Sequence, residues 1–214
     1  LLLAFFTCSA YNSWVDKPHA RDPGRPALPA GRSAASALYE KALDMPELPP
    51  RARKGESSIM GHTDNYTLLC DFYELTMGNG YFQTGMDQQI CYFDVFFRDV
   101  PDGGGFAIAA GLEQIIDYIQ DLRFSPEDVD FLRGKGVFSE AFLQYLLHFQ
   151  FTGDIWAVPE GTPIFPGEPI LTVRAPAIQA QFIETYVLLI LNHQSLIATK
   201  SNRIVRAAQG RPVS

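Results

Sequence analysis

The run Ile90-Cys-Tyr-Phe-Asp-Val-Phe-Phe97 is rich in aromatic and β-branched residues and stops at Arg98, a pattern that predicts a strand. Upstream, apolar residues at Phe72, Leu75, Met77 and Tyr81 predict a helix over Asp71–Gln83, ended in the Gly78–Gly80 region or just past it. Downstream, Leu112, Ile115, Ile116 and Ile119 predict a helix over Gly111–Leu122. Ser125-Pro-Glu-Asp128 has the makings of a helix start: a capping hydroxyl, Pro at the first position, then acids near the positive end of the dipole. Ser139–Phe149 repeats the helical pattern, with Phe142, Leu143, Leu146 and Leu147 facing inward. Two short strands, Asp154–Val158 and Pro169–Arg174, then flank the turn-rich segment Glu160–Glu168. Ala177–Ala208 reads as one long helix or two abutting ones, apolar through Tyr186–Leu191 and so expected to be buried. Together these elements predict a mixed α+β domain with no internal repeat.

Composition divides the chain. With 214 residues and 47% hydrophobic content it can bury a real core. The net charge of −7 combines a basic start, 8 basic against 6 acidic residues in 1–59, with an acidic body, 9 against 18 in 60–214. An acidic body argues against a general nucleic-acid binder, which needs a basic field. The apolar opening Leu1–Phe6 is far short of the roughly 20 residues of a membrane span. It also lacks the basic flank of a signal peptide. Residues 16–57 hold 7 of the 15 prolines and read as disordered apart from a short helix at Ser36–Leu43. Met60 is a candidate true start, since Lys54-Gly-Glu56 lies a few codons upstream and can be encoded by a purine-rich, ribosome-binding stretch. Cys8, Cys70 and Cys91 have no metal spacing and read as reduced thiols of a cytoplasmic protein.

The residues with chemical potential are few. Arg98 is the one Lys or Arg between Met60 and Gln120 and sits where a strand gives way to a loop. There its guanidinium is suited to clamp a phosphate, or simply to pair with Asp94 or Asp99. Lys200, Arg203 and Arg206 share one helix face, either as a phosphate-facing patch or as the usual basic complement to a helix C-terminus. Tyr73, between Asp71 and Glu74, suits stacking on a flat ring or a place in the core. Gly103-Gly-Gly105 offers backbone amides to an anion, although a glycine triplet before a helix is more often a turn. His148 and His193 read as hydrogen-bonded packing residues of their helices. No Ser/His/Asp set, metal cluster or nucleotide-binding glycine pattern is present.

Several segments, taken in order, resemble the N-terminal part of nicotinate phosphoribosyltransferase. They are Asp71-Phe-Tyr-Glu-Leu-Thr-Met77 with Gly80-Tyr-Phe82, Phe93-Asp-Val-Phe-Phe-Arg98, Gly104–Leu112, Pro159-Glu-Gly-Thr-Pro163, Phe165-Pro-Gly-Glu-Pro169, Glu184-Thr185 and Leu196–Arg203. The resemblance covers roughly 60–208 and implies an α/β sandwich domain, 60–175, whose helices at 176–214 lead into a truncated, irregular α/β barrel. Residues 1–59 match nothing in it and are expected to be disordered or a non-native extension.

The implied reaction joins nicotinate to 5-phosphoribosyl-1-pyrophosphate, giving nicotinate mononucleotide for NAD salvage. The resemblance further implies coupled ATP hydrolysis (a ligase-type classification), Mg²⁺, a cytoplasmic homodimer with sites at the subunit interface, and neither nucleic acid nor membrane as partner. Tyr73 matches the tyrosine that stacks on the pyridine ring, reaching into the partner's site. Arg98 is similar to a strand-end arginine that meets phosphates across the same interface, and Lys200 and Arg203 lie in a family motif without an assigned contact.

Two departures stand out. Cys70 occupies a position where the family commonly has threonine, and the chain ends before the family's phosphorylated histidine, which His193 does not match. The 214 residues alone are therefore expected to lack transferase activity, with no catalytic or metal-binding residue among them. The competing readings are a nicotinamide- or quinolinate-using relative and a non-catalytic dimerisation or regulatory domain.

Overall fold

The computed structural model describes residues 2–7, 65–100 and 103–213. The proline-rich stretch with its expected helix at Ser36–Leu43, the Met60 start and Cys8 lie outside the described residues. The elements in chain order are β1 (Leu2–Thr7), α1 (Phe72–Thr84), β2 (Ile90–Phe97), β3 (Ala107–Ile108), α2 (Leu112–Asp121), α3 (Pro126–Arg133), α4 (Glu140–Leu147), β4 (Asp154–Ala157), β5 (Pro163–Ile164), β6 (Leu171–Pro176), α5 (Ala177–Phe182) and α6 (Glu184–Ala208). The mixed α+β expectation holds.

One antiparallel sheet runs in the order β1-β2-β6-β4, and β3 and β5 form a separate two-stranded ribbon. Strand β2 buries alternate residues, Cys91, Phe93, Val95 and Phe97, and β6 buries Leu171, Val173 and Ala175 beside them. This period-two pattern gives the sheet one covered face and fixes its register. Short helix α5 lies across that face, and its Phe182 ring enters an aromatic cluster with Phe124, Phe142 and Phe149.

Local chemistry sets the helix ends. Ser125 accepts from the Asp128 backbone N–H while Asp128 accepts from the Ser125 N–H, a complete capping box with Pro126 at the first helical position. Helix α1 passes Gly78–Gly80 and ends just past them at Thr84, close to the expected Gln83, where Gly85 turns left-handed. Burial of Gly78 and the packing of Tyr81 and Phe82 on the core hold the last turn in place. The long apolar stretch resolves into two helices, α5 and α6, joined at Ile183. Disorder expected for 1–59 does not extend to Leu2–Thr7: backbone pairing with β2 makes this stretch an edge strand of the sheet.

Burial of Tyr186–Leu191 is likewise incomplete, because Leu189 is 49% exposed while Val187 and Leu191 face inward. The inward face of α6 is partly polar. Buried Ser195 and Thr199 accept from the backbone N–H groups of Ala110 (3.1 Å) and Ile108 (2.8 Å), along β3 and the residues that follow it. Replacing Thr199 with valine keeps the shape but strands the Ile108 donor. The expected cost is about 1–3 kcal/mol, read as a lower melting temperature that Thr199→Ser restores.

Candidate functional site

Two places gather the residues singled out by the sequence, and α6 passes through both. At its N-terminal end, α6 meets the start of α1. The Asp71 N–H donates to Thr185 Oγ1 at 3.2 Å. The Thr185 backbone N–H, one of the unpaired donors of a helix start, donates to Glu74 Oε1 at 3.1 Å, and the Thr185 hydroxyl donates to the same oxygen. Glu74 is fully buried, and its Oε2 has no partner among the described residues. Beside it, Tyr73 lies near the Glu184 carboxylate, whose Oε2 accepts from Gln181 Nε2 at 2.8 Å. Tyr73 nevertheless leaves 43% of its surface in solvent.

The electrostatics of this end are dominated by burial. Loss of water pushes the Glu74 carboxyl up to about 7, its hydrogen bonds from Thr185 offsetting only part of the effect. Glu184 also rises to about 7, for the same leading reason. The Tyr73 hydroxyl is pushed well above its ordinary range by burial, by the nearby Glu184 carboxylate and by the other acids around it. Burial and the neighbouring acids push the Cys70 thiol up to about 12, so it stays protonated and unreactive.

The second place lies along the C-terminal half of α6. Lys200, Arg203 and Arg206 are all exposed there, as the spacing predicts. Arg203 crosses the glycine loop: a Cβ on Gly104 would stand 2.0 Å from Nη2 of Arg203 and 3.0 Å from its Cζ. A side chain at Gly104 would displace the guanidinium from this position. Thus the structure brings Arg203 to the loop that the sequence marked as a source of amides. Arg98 is exposed at the end of β2, where the Phe97 carbonyl accepts from Gly167 N–H at 2.7 Å.

Within one chain, Tyr73 and Arg203 do not meet. Tyr73 lies on the first turn of α1, which Asp71 and Glu74 bond to Thr185 at the start of α6, and Arg203 lies nineteen residues beyond Glu184, the first residue of that helix, roughly 28 Å along its axis. His148 closes α4 by a 2.9 Å contact of Nδ1 with the Gln144 carbonyl oxygen, hydrogen-bonded as expected but exposed rather than packed. His193 is likewise exposed, because it falls on the outer face of α6. No group of three or more His, Cys, Asp or Glu among the described residues is arranged to hold a metal ion. No helix among them is long and apolar enough to cross a membrane.

Gln181 was not singled out by the sequence, and Glu74, Glu184 and Thr185 only as parts of motifs. Their one sequence signal is polarity in apolar surroundings, as with Gln179 and Gln181 within Ala177–Phe182.

Comparison with known proteins gives one answer. Residues 68–192 match the model of the nicotinate phosphoribosyltransferase (NAPRTase) N-terminal domain. A nicotinate phosphoribosyltransferase of Mycobacterium tuberculosis is 45% identical over 146 residues, covering 68% of this chain and 31% of the relative. That of Bacillus subtilis is 39% identical over 141 residues, covering 66% and 29%. In three dimensions the chain is similar to the crystal structure of human nicotinic acid phosphoribosyltransferase, with a TM-score of 0.64, 34% identity and coverage of 67% and 29%. The chain thus spans about a third of the length of these relatives. A family model that takes in more than half of the chain, over the same α1–α6 framework that carries Tyr73 and the glycine loop, shows that the chain belongs to the nicotinate phosphoribosyltransferase family.

Proposed function

We propose that this chain is the N-terminal portion of an enzyme that joins nicotinate to 5-phosphoribosyl-1-pyrophosphate in NAD salvage. The observation that carries the reading is Tyr73, an aromatic side chain on the first turn of α1 with 43% of its surface exposed. Such a ring binds a flat pyridine by stacking and excludes water from one side of it. In the reaction the pyridine nitrogen forms a bond to C1 of the ribose, the C1–oxygen bond breaks, and pyrophosphate leaves with the electron pair. Holding the three groups in line supplies much of the acceleration.

The polyanionic partner needs cations and amides, and Arg98, Lys200 and Arg203 with the loop Gly103–Gly105 are this chain's contribution. The roughly 28 Å between Tyr73 and Arg203 is far longer than a pyridine joined to one sugar phosphate. A complete site assembled from this chain's Tyr73 and these basic residues therefore takes them from two copies, which supports a homodimer. The same reading includes coupled ATP hydrolysis and a cytoplasmic location. Mg²⁺ in this reading arrives on the pyrophosphate, and the described residues include no group of three or more His, Cys, Asp or Glu that would hold it.

The test is turnover of nicotinate and 5-phosphoribosyl-1-pyrophosphate by the whole protein that carries this chain. Wild type is expected to form nicotinate mononucleotide, and Tyr73→Ala to raise KM for nicotinate about tenfold or more, in line with the loss of one stacking contact. An unchanged KM in a folded Tyr73→Ala protein removes Tyr73 from the site. Preference for nicotinamide or quinolinate would move the chain's substrate to a relative.

A further inference from the structure

We propose that Gly104 is a positioning residue: the place of its missing side chain is a seat that holds the Arg203 guanidinium on the glycine loop for the pyrophosphate group of the sugar substrate. The inference rests on the reading of Arg203 as part of this chain's contribution to the polyanion's site, and adds the residue that places its charge.

An exposed arginine has several free torsions, and ordering them is a cost met at binding unless the fold has already met it. Helix α6 fixes the base of this side chain. Ser195, Thr199 and Arg203 follow one another at intervals of four along the helix and so share one face. Ser195, 0% exposed, and Thr199, 4% exposed, accept from the N–H groups of Ala110 and Ile108, which bonds two successive turns of α6 to the backbone that leaves the loop. The Ser195 hydroxyl also reaches the Ala110 carbonyl oxygen at 3.3 Å. Arg203 is next in the series, and opposite its turn the facing backbone is the loop itself.

There the guanidinium lies against Gly104. A Cβ on that residue would stand 2.0 Å from Nη2 and 3.0 Å from Cζ of Arg203, and 3.2 Å from Cγ1 of Val100, which is 5% exposed. The seat thus has a buried valine beside it and a cation where a side chain would be. Its neighbours are different, since a Cβ on Gly103 or Gly105 meets nothing within 4 Å. Backbone conformation does not call for glycine at 104 either: Gly103 takes φ 63°, whereas Gly104 is not among the residues of positive φ. What glycine supplies at 104 is room for a flat cation. The seat brings that planar fork to a loop whose amides suit the same anion.

The experiment uses the whole protein that carries this chain, with Gly104→Ala, Arg203→Ala, the double variant and Arg211→Ala. The backbone at 104 accepts alanine, and the closest atoms to be moved are the far end of a flexible side chain, so Gly104→Ala is expected to fold and melt close to wild type. It should raise KM for 5-phosphoribosyl-1-pyrophosphate about tenfold and leave KM for nicotinate within about twofold. Arg203→Ala should do as much or more, and the double variant should be no worse than Arg203→Ala, as for two changes that empty one seat. Arg211→Ala removes an exposed positive charge just beyond α6 and should leave both constants within about twofold.

A second readout does not depend on turnover. Binding of inorganic pyrophosphate, followed by calorimetry in Mg²⁺ buffer, should weaken about tenfold in Gly104→Ala and in Arg203→Ala. Pyrophosphate affinity unmoved by Gly104→Ala in folded protein overturns the proposal, and so do additive losses in the double variant. A loss that Arg211→Ala copies assigns the effect to overall charge and overturns it too. Weakened pyrophosphate binding in both variants of a protein that does not turn nicotinate over supports the seat and puts the failure in the choice of substrate.

Discussion

Phe142→Ala is expected to cost the domain about 3–5 kcal/mol, a large part of the total stability of a typical domain. Phe142 is 0% exposed, on α4, and lies in ring contact with four other aromatics. Phe82 and Phe138 stand at 5.9 Å, Tyr145 at 6.2 Å in a stacked arrangement, and Phe182 at 6.4 Å edge-on. These partners come from α1, α5, α4 and the loop before α4, so the ring joins elements rather than decorating one. Packing of this density does not collapse around a missing ring, and the cavity adds to the lost transfer energy. Urea unfolding should show the midpoint falling with an unchanged slope. Phe131→Ala, at a ring 55% exposed on α3, is the control and should change stability by less than about 1 kcal/mol. A comparable small loss at Phe142 would mean that the cluster does not hold these helices together.

The elements legible in the sequence are those whose pattern is local. Strand β2 was expected at Ile90–Phe97 and occupies it, because every second side chain is apolar and the run ends in a charged loop. Helix α3 begins where Ser125, Pro126 and Asp128 say it should. Elements fixed by distant partners were not legible. Strands β3 and β5 are two residues each, too short for any period, and exist because the Ala107–Ala110 stretch meets Ser195 and Thr199 on one side and the Thr162–Ile164 backbone on the other. At Gly111 the backbone takes φ 110°, and a Cβ there would stand 2.9 Å from Ile190 Cγ2 and 3.2 Å from the Ile190 carbonyl oxygen. The sequence shows a glycine before a helix. Only the fold shows that α2 starts against the backbone of α6.

The candidate site divides in the same way. Tyr73, Arg98, Lys200 and Arg203 stand out by residue type and by family resemblance, and all four are exposed. What organises them is long-range. Thr185 reaches Asp71 and Glu74 from more than a hundred positions away, and Arg203 reaches Gly104 from about as far. No periodicity announces such pairs, since each polar residue looks like the ordinary start or outer face of a helix. The separation of Tyr73 from Arg203 along α6 is also invisible in a motif list, yet it is the fact that bears most on how many chains complete a site.

Glu74→Gln is expected to remove most of a downward slope in stability between about pH 4.5 and 7. Two effects compete at Glu74. Two hydrogen bonds from Thr185 and the positive start of α6 favour the ionised form, whereas complete burial favours the neutral one. Burial wins, lifting the carboxyl from 4.5 to about 7. Between those values the folded chain keeps a proton that the unfolded chain has released, so folding is favoured at the acid end and weakens as pH rises. The full contribution is present below about pH 4.5, is lost progressively toward pH 7, and changes no further above it. A shift of this size corresponds to about 3 kcal/mol, and partly exposed Glu184 adds a smaller slope of the same sign.

Glutamine keeps an oxygen for both Thr185 donors and places its amino group where Oε2 already lacks a partner, so little but the charge is lost. Urea midpoints at pH 4.5, 6 and 8 check this. Relative to wild type, Glu74→Gln should be close at pH 4.5 and distinctly more stable at pH 8, and Glu184→Gln should show a smaller gain because its carboxylate is only partly buried, although removing its charge from beside Glu74 adds to that gain. Curves for wild type and Glu74→Gln that run parallel from pH 4.5 to 8 would mean that Thr185 and the helix start, not burial, decide the charge of Glu74. If Glu74→Gln were instead less stable at pH 8 than at pH 4.5, relative to wild type, the buried carboxylate would be a stabilising cap of α6, and the junction of α1 and α6 would tighten rather than loosen above neutral pH.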